Sequence, residues 1–591
     1  MAASATLVAH AIYYLPFLSD DALISLRYAQ RLIEGKGLTW TDGQVVEGYS
    51  NFLWVMLSAM LWKLGLNLVL AVRLMGVLLS VANIGLIIQF VKNRFDNPDY
   101  ILLPVLAFYS LSSTIAAWSV GGLEQPLVGF LVLLAVAQYL EYIRTSINRN
   151  LWISTIALGL LSITRPDGIL IAVGIFAYHT IANRQILRGK YKDLAVLSIV
   201  PLVFYLGLLI FRIIYYGELV PNTALVKVSP SIPHFLEGLH YNLRFIKANL
   251  SLSIVVGLSL YYLLTKKHPR AFLYLILLGF WFAYLSFIGG DIFPAFRHHF
   301  LSYVLLMLVI VDGLYLLYQS QVFNKFKRLY SLSFAVILMP LFVYQQFNEF
   351  FYHAAKTEIW EWQLKDLAVD LKATFEDEQP LIAVGASGAL PYWTAFPAID
   401  MLGLNDYHIP RHKREKVGSG YIGHELGDAE YVMSNNPDIV QFHLGSKEPI
   451  HYADTLLMNN AEFQRNNVPI SVIANGEYNY QSVLWFNKYS KKVGVDTTKK
   501  VINIPAYLFQ SDEPIDRVFE NGKLLLPLKP NQSASFILDY NISIWDIILI
   551  PFDNAIDIDF SNSYGKTIIE ITNTKNEIVN LEGVMLGPYI Y

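Results

Sequence analysis

Long apolar runs dominate the first 348 residues of the chain, and the remaining residues have the composition of a soluble protein. A helix that crosses a membrane needs about 20 apolar residues. The runs therefore predict about eleven membrane-spanning helices. They fall at 4–18, 68–91, 100–117, 125–143, 151–164, 168–183, 194–215, 249–265, 271–288, 299–317 and 329–347.

Basic residues are concentrated in alternate loops, which predicts how the helices are oriented in the membrane. Loops rich in Lys and Arg stay in the cytoplasm. The basic loops fall on one side only if the run at 50–64 does not cross, so we expect 50–64 to lie at the outer interface. The cytoplasmic basic residues are then Lys92, Arg94, Arg144, Arg149, Arg184, Arg188, Lys190, Lys192, Lys266, Lys267, Arg270, Lys325, Lys327 and Arg328.

The polar loops fall on the opposite, non-cytoplasmic side. They carry the sequences "SDDALIS…VEGYSN", "WSVGGLEQP", "TRPDG", "YYGELVPNTALVK" and "GGDIFPAFRHH". The soluble C-terminal part follows on the same side, because eleven spans from a cytoplasmic start end outside. Acidic and basic residues are scarce within the spans, and we find no internal repeat, which disfavours a transporter. The pattern predicts a site at the outer membrane surface.

The first polar loop opens on an acid pair at the start of a predicted amphipathic helix, 20–34. Apolar residues at helical spacing form one face, while Asp20 and Arg27 fall on the opposite face. Such a helix lies flat on a membrane. Asp20 is also a natural N-cap, and Asp21 also suits the helix dipole. Two acids at the membrane edge nevertheless indicate a catalytic role.

The next segment, "EGKGLTWTDGQVVEGYSNFLW", is a glycine-rich loop. One interpretation is ordinary turn chemistry. The other is that this loop forms the wall of a sugar pocket, with the side chains of Trp40, Glu47, Tyr49 and Asn51. Aromatic faces and amides suit the C–H faces and hydroxyls of a sugar.

Two later loops carry basic residues on the side where such residues are rare. Arg165 in "TRPDG" is a candidate phosphate ligand, although a turn with a snorkelling arginine explains it equally well. "GGDIFPAFRHH" brings together Asp291, Arg297 and His298. We expect Arg297 and His298 to contact a phosphate and Asp291 to belong to the same donor site.

The overall composition limits the remaining choices. Only 15% of the residues are charged, and the net charge of -3 argues against a nucleic-acid partner. The chain has no cysteine, which excludes disulfides and thiolate catalysis. We expect no cofactor and no metal. A divalent cation bound by the two histidines of "GGDIFPAFRHH" would need a third ligand, and the candidates are His408, His412 and His424. The spacing of these histidines along the chain matches no known metal-binding signature.

The soluble C-terminal part divides into two predicted regions. An α/β domain is expected over 349–465, with an amphipathic helix at 361–375 and a tight turn, "VGASGA", after a strand. A β-rich domain over 466–591 is indicated by "SVIAN", "SVLWF", "SASFILDYNI" and "TIIEITN". A sandwich that binds glycans and a simple spacer are equally consistent with this region.

Several of these motifs occur together and in order: "DDALISLRYAQRLIEGKGLTWTDGQVVEGYSNFLW", "GGLEQPL", "TRPDG", "YYGELVPNT", "GGDIFPAFR" and "GASGALPYWTAFPAIDMLGLNDYHIPR…IGHE". Over residues 17 to about 435 the chain resembles the GT-C superfamily of polyprenyl-phosphate-sugar glycosyltransferases. Within it, the chain is most similar to the terminal β-(1→2) arabinofuranosyltransferases of the mycobacterial cell wall. The resemblance implies a polytopic GT-C fold for residues 1–348, with interfacial helices in the first outer loop.

The resemblance also implies a function. A sugar, either arabinofuranose or another pentose or hexose, would move from a polyprenyl phosphate to a polysaccharide or glycolipid of the cell envelope. This transfer would take place at the outer face of a bacterial inner membrane. Asp20 would be the general base, with Asp21 beside it, although the sequence does not decide between the two. The alternatives are a glycan ligase or polymerase with a lipid-diphosphate donor, a transporter, and a non-enzymatic scaffold.

Overall fold

The computed structural model describes residues 1–95, 98–182, 191–227, 231–320, 325, 333–412, 423–497, 501–539, 546–550 and 556–587. They form two compact units. The first unit contains Met1–Trp40 and Val45–Ile359. The second contains the short segment Thr41–Gln44 and the described residues from Trp360 onward.

In the described residues of the first unit, all regular secondary structure is helical. Its helices are α1 Ala2–Tyr13, α2 Asp20–Ile33, α3 Phe52–Lys63, α4 Leu68–Lys92, α5 Asp99–Ser110, α6 Ser113–Val120, α7 Gln125–Thr145, α8 Asn148–Thr164, α9 Ile169–Ala182, α10 Tyr191–Tyr216, α11 Asn222–Lys227, α12 Ile232–Ala248, α13 Leu250–Thr265, α14 Pro269–Phe287, α15 His299–Gln319, α16 Met339–Asn348 and α17 Phe350–Thr357. Short 3-10 turns lie at Pro166–Gly168 and Pro294–Phe296.

Five described helices are long and apolar enough to cross a membrane. The number rises to seven if each of two bent helix pairs is one span. The pairs are α5 with α6, bent by 53°, and α12 with α13, bent by 93°. The chain is a multi-pass membrane protein. The predicted count of eleven spans and their orientation stay predictions.

Helix α15 runs through the centre of the first unit. Every residue from His299 to Gly313 is buried, so no side of the helix is exposed in that stretch. Gly313 lets α15 approach α13 closely, because a Cβ at Gly313 would lie 2.2 Å from the Cβ of Ser259. Small residues at such crossings are typical of helices that pack in membranes. This packing gives the loops at the ends of these helices a rigid base.

The acid pair and the glycine-rich loop lie where the sequence predicts them. Helix α2 begins at Asp20, and its N-cap position is Ser19. The interpretation of Asp20 as the N-cap is therefore wrong, and both acids lie in the first turn. Gly35, Gly37 and Gly43 all have positive φ, as expected for turns that favour glycine.

The second unit combines helices with three sheets. Its helices are α18 Trp360–Phe375, α19 Ala389–Thr394, α20 Ala429–Ser434, α21 Tyr452–Met458 and α22 Ala461–Asn466. Its strands are β1 Ile382–Val384, β2 Ala398–Asp400, β3 Ile439–Gln441, β4 Asn467–Ile473, β5 Gln481–Asn487, β6 Ile502–Pro505, β7 Arg517–Glu520, β8 Lys523–Leu528, β9 Ser533–Leu538, β10 Asp546–Ile550, β11 Ile556–Ser563, β12 Lys566–Asn573, β13 Val579–Leu581 and β14 Gly583–Gly587.

The largest sheet has eight strands in the order β13-β8-β7-β4-β5-β3-β1-β2. Strand β1 pairs in parallel with β2 and β3, while β5 continues the sheet antiparallel to β3. This sheet takes strands from both sides of residue 465. The other sheets are β10-β14-β6 and β11-β12-β9, each with three strands. A β-rich C-terminal region is thus confirmed, and the sandwich stays a prediction.

A short segment of the first polar loop belongs to the second unit. The hydroxyl of Thr41 accepts a hydrogen bond from the backbone N–H of Ala398 at 3.1 Å. The side-chain amide of Gln44 donates to Asp406 and to the hydroxyl of Tyr431, each at 3.1 Å. Hydrogen bonds of single polar residues leave no periodic pattern, so this membership could not be predicted from the sequence.

Candidate functional site

Asp21 lies in a cluster of opposite charges that three segments of the first unit bring together. Lys227, at the end of α11, contacts the Asp21 carboxylate at 3.1 Å. Arg297 contacts the same oxygen at 3.2 Å and forms a bidentate pair with Asp291, at 2.8 and 2.9 Å. We call Asp21, Lys227, Asp291 and Arg297 the Asp21 cluster.

The cluster controls the charge on its own members. Burial opposes the charge of Asp21, but Lys227 and Arg297 together lower the pKa of its carboxyl below the usual range. Burial has the larger effect on the other acid and raises the pKa of Asp291, despite the pair with Arg297. Asp21 is therefore the firmly ionised acid of the cluster, and a weak proton acceptor.

A second group of charges surrounds Arg165. Its guanidinium contacts Glu124 at 2.8 Å and is bidentate to Asp167, with the shortest distance 2.7 Å. The hydroxyl of Tyr284 donates to Asp167 at 2.9 Å, and the amide of Asn51 donates to Glu124 at 2.8 Å. We call these five residues the Arg165 cluster. Although burial opposes it, Asp167 and Glu124 raise the pKa of Arg165, so it stays a cation.

His298 lies close to both clusters. Burial, and then the charges of Arg165 and Arg297, lower the pKa of His298 well below 6.5. The ring is therefore neutral at pH 7. The next residue, His299, makes other contacts: its ring stacks on Phe245 at 3.8 Å and its Nδ1 lies 3.0 Å from the hydroxyl of Ser302.

Asp20 precedes Asp21 in the first turn of α2, with 9% of its surface exposed. Adjacent residues of a helix point in directions about 100° apart. The two acids therefore have different surroundings, and the ion pairs of Asp21 do not define the environment of Asp20. Both carboxylates lie at the helix N-terminus, where the helix dipole favours their negative charge.

The remaining predicted donor-site residues make contacts within the protein. Arg27 donates to the backbone carbonyl of Trp40 at 2.6 Å, and its guanidinium lies 5.0 Å from the centre of that indole ring. Glu47 pairs with Arg212 of α10 at 3.1 Å, and Tyr49 lies 3.1 Å from the hydroxyl of Tyr216. These residues are buried and hold the loop against the helices. Their direct contact with a sugar stays a prediction.

Four members of the two clusters were not predicted from the sequence: Glu124, Asp167, Lys227 and Tyr284. Tyr284 lies in α14. Each of the other three lies in a polar loop that the orientation argument had placed outside. The signal available for Lys227 was the one used for Arg165, a lone base on the side where bases are scarce. The acids had no such signal, because an acid in a turn is common.

Comparisons with known proteins give a fold for the chain. A family model described only as a domain of unknown function, DUF8728, matches residues 356–493. No curated protein matches the sequence. Solved structures do match the fold. ArnT from Cupriavidus metallidurans in the apo state has a TM-score of 0.53 at 12% identity, over 81% of this chain and 96% of that chain.

Two further structures are similar at lower scores. ArnT from the same organism bound to undecaprenyl phosphate has a TM-score of 0.49 at 13% identity, over 67% of this chain and 84% of that chain. The other structure is the oligosaccharyltransferase AglB from Archaeoglobus fulgidus in complex with an inhibitory peptide and a dolichol-phosphate. It has a TM-score of 0.43 at 11% identity, over 68% of this chain and 64% of that chain.

The ArnT fold is of the GT-C type. The apo ArnT match covers most of both chains, so the GT-C type of fold predicted from the sequence is confirmed. An identity of 12% shows the fold alone. The arabinofuranosyltransferase subfamily and the roles of the site residues stay predictions.

Proposed function

We propose that this protein is a membrane glycosyltransferase that moves a sugar from a polyprenyl phosphate to an acceptor hydroxyl at the outer face of the membrane. The observation that carries the proposal is that Asp21, the second acid of the pair at the start of α2, contacts Lys227 and Arg297, two cations from other segments of the same unit. The reaction needs this combination, because it uses one carboxylate as a base and cations for the phosphate that leaves.

The fold supports the donor class. The chain shares its fold with ArnT, a protein also known in complex with undecaprenyl phosphate. The first unit has helices that are long and apolar enough to cross a membrane. A lipid-linked donor lies in the same membrane and approaches the site from there. No soluble nucleotide sugar is needed for a donor of this kind.

Asp20 acts as the general base in our proposal, and Asp21 positions the cations. Lys227 and Arg297 lower the pKa of Asp21, and a carboxylate held in two ion pairs accepts a proton poorly. Its neighbour Asp20 takes the proton of the acceptor hydroxyl. The acceptor oxygen then forms a bond to the anomeric carbon, and the bond from that carbon to the phosphate oxygen breaks. The electron pair leaves with the polyprenyl phosphate, and the configuration inverts.

Each cation of the two clusters is already paired with a carboxylate. Arg165 pairs with Glu124 and Asp167, Arg297 pairs with Asp291 and Asp21, and Lys227 pairs with Asp21. Lys227 is the most exposed of the three, with 29% of its side chain accessible against 9% for Arg297. We therefore assign the first contact with the donor phosphate to Lys227, which the phosphate reaches without breaking a bidentate pair.

The sugar, the acceptor and the side of the membrane belong to the same proposal. We expect a cell-envelope polysaccharide or glycolipid as acceptor, and arabinofuranose or another pentose or hexose as the sugar. The membrane would be a bacterial inner membrane, with the second unit on its non-cytoplasmic side. A lipid-diphosphate donor is the principal alternative.

The test begins with mass spectrometry of lipids that copurify with the full chain, which identifies the donor. That lipid is then incubated with the purified protein and candidate acceptors, and the released lipid is analysed. Release of a lipid monophosphate supports the proposal, whereas release of a lipid diphosphate supports the alternative. A protein that binds no polyprenyl phosphate contradicts the donor class.

The base is tested with Asp20→Asn. We expect kcat to fall by about 10²–10⁴-fold, because the acceptor loses its proton acceptor. Asp99→Asn is the matched control, since Asp99 is also the first residue of its helix and is exposed. If Asp20→Asn retains full activity with the identified donor, the assignment of Asp20 is wrong.

A further inference from the structure

Three histidine side chains of the second unit lie together, although they come from three separate segments. His443 opens a 3-10 turn after β3, His451 is the residue before α21, and His424 lies in the segment before α20. The ring centres of His443 and His451 lie 4.4 Å apart, those of His424 and His451 4.3 Å, and those of His424 and His443 5.5 Å. One ring nitrogen from each lies within 4.8 Å of the others.

The two ring nitrogens of His443 have different surroundings. Within the described part of the chain its Nδ1 is buried and has no hydrogen-bond partner. The ring also forms a hydrogen bond with the backbone of Gly385, after β1. Metal-binding histidines typically donate their second ring N–H to a carbonyl in this way, which fixes the ring and leaves a lone pair for the ion.

A buried carboxylate fixes the backbone beneath the group. Asp454 is fully buried and accepts hydrogen bonds from the backbone N–H groups of Ile450 and His451, at 3.2 and 3.1 Å. It also forms a hydrogen bond with the backbone of His443. One side chain thus holds two of the three histidine-bearing segments, so the rings are positioned before any ligand arrives.

We propose that His424, His443 and His451 bind a Zn²⁺ ion, with water in the fourth position. Three imidazole nitrogens suit Zn²⁺, whereas Mg²⁺ and Ca²⁺ prefer oxygen ligands. Nitrogens bound to one tetrahedral Zn²⁺ at about 2.0–2.1 Å lie roughly 3.4 Å apart. The present separation, within 4.8 Å, closes to that value by small rotations of the rings.

The site goes beyond the proposed transferase reaction and does not depend on it. It lies in the second unit, within the residues that the family of unknown function matches, whereas Asp20 and its partners lie in the first. The ion would join three segments that lie outside the α-helices and strands of the unit. The sequence did not reveal the group, because its histidines are separated by 18 and 7 residues, a spacing without a signature.

The test uses the full chain purified without a histidine tag, stripped with a chelator and given ZnCl₂. We expect about one Zn²⁺ per chain by elemental analysis, and a rise in Tm with Zn²⁺ but not with Mg²⁺. Co²⁺ in place of Zn²⁺ should give the intense visible absorption of a tetrahedral site. If the unmodified chain binds no stoichiometric Zn²⁺ and shows no such absorption, the proposal is wrong, whatever any variant does.

Variants then locate the ion. His443→Gln and the double variant His424→Gln/His451→Gln should each weaken Zn²⁺ binding by at least ~100-fold. His412→Gln is the matched control, because His412 is an exposed histidine of the same unit and stacks on His408 outside the group. The Tm of each metal-free variant shows whether it is folded. Unchanged Zn²⁺ binding in a folded His443→Gln variant would overturn the assignment.

Discussion

At the scale of single residues, the main feature of the candidate site is that its charges occur as pairs. The sequence predicted Asp21, Asp291, Arg297 and Arg165 as site residues from their loops and their predicted side. It did not predict which acid pairs with which base, because the partners come from segments up to 276 residues apart. Ion pairing decides which of the two carboxylates can act as a base. The roles of the two acids could therefore be proposed only from the three-dimensional structure.

Lys227 provides the first test at this scale. We expect Lys227→Met to raise the KM for the lipid donor by about 10–100-fold, because a charge-assisted hydrogen bond to phosphate contributes about 1.5–3 kcal/mol. The kcat should change less, since Arg297 remains. Lys36→Met is the control, because Lys36 is exposed and pairs with Glu34, two residues earlier in the chain. Steady-state kinetics with the identified donor decide, and an unchanged KM would remove Lys227 from the donor site.

His298 gives the protein a pH-dependent stability whose sign follows from its burial. Its folded pKa is well below 6.5, while the unfolded chain titrates near 6.5. As pH falls below about 6.5, the unfolded state binds a proton that the folded state does not. Folding therefore loses up to about 1.4 kcal/mol for each pH unit.

The measurement compares Tm between pH 7.5 and pH 5 for the unmodified chain and for His298→Asn. We expect the variant to lose less stability over this range, because its side chain does not titrate. His353→Asn, at an exposed histidine, should follow the unmodified chain. Parallel curves for His298→Asn and the unmodified chain would mean that His298 is protonated in the folded state.

At the scale of elements, apolar runs predicted where helices lie better than how they bend. Helices α4, α7, α14 and α15 occupy the predicted runs to within a few residues. The run at 100–117 is broken into two helices at Ser112, whose hydroxyl accepts from the backbone N–H of Ile115. A capping hydrogen bond inside an apolar run does not change its hydrophobicity, so the run alone could not predict the bend.

The amphipathic face of α2 was predicted correctly, but its polar residues are not exposed. Arg31 is 8% exposed and donates to the backbone carbonyl of Thr39 at 3.1 Å. The hydroxyl of Tyr28 donates to the carbonyl of Val46 at 2.7 Å and accepts from the N–H of Gly48 at 3.0 Å. The loop after α2 folds back over this face, since buried backbone groups need partners. Periodicity identifies a polar face but does not indicate whether water or protein covers it.

The ion pair between Glu47 and Arg212 tests whether the loop is fixed by charge. Both residues are 4% exposed. Arg212→Leu should destabilise the protein by about 3–5 kcal/mol, because it leaves a buried carboxylate unpaired. The double variant Glu47→Gln/Arg212→Leu should recover part of the loss. Thermal unfolding of both single variants and the double variant measures the coupling.

The same variants separate the structural role of Glu47 from a role in sugar binding. If Glu47 only fixes the loop, Glu47→Gln lowers Tm and leaves the KM for the donor nearly unchanged. A raised KM with no change in Tm would instead place Glu47 in contact with the sugar. Additive effects of the two substitutions on Tm would contradict the ion pair itself.

At the scale of the whole molecule, hydropathy separated the helical part from the soluble part and indicated strands in the latter. Its limit is seen at Thr41–Gln44, four residues that lie in the first polar loop but belong to the second unit. A second example is the large sheet, in which β3, before residue 465, pairs with β5, after it. Pairing between distant strands is set by tertiary packing, so it cannot be predicted from local composition.

The orientation of the chain in its membrane is the prediction with the widest consequences, since it places both clusters on one side. The chain contains no cysteine, so every introduced cysteine reports its own position without background. Exposed positions are available on both predicted sides: Asn148 and Thr265 inside, and Lys36 and Glu477 outside. Each is changed singly to Cys, and intact cells or spheroplasts are treated with a membrane-impermeant maleimide.

We expect Lys36→Cys and Glu477→Cys to be labelled in intact spheroplasts, and Asn148→Cys and Thr265→Cys only after the membrane is opened. The reason is the basic character of the loops next to the last two positions, which holds them in the cytoplasm. The reverse pattern would place the acid pair in the cytoplasm and remove the argument for an outer-face reaction. Labelling of Lys36→Cys without Glu477→Cys would mean an odd number of crossings between them, and would contradict the eleven-span topology.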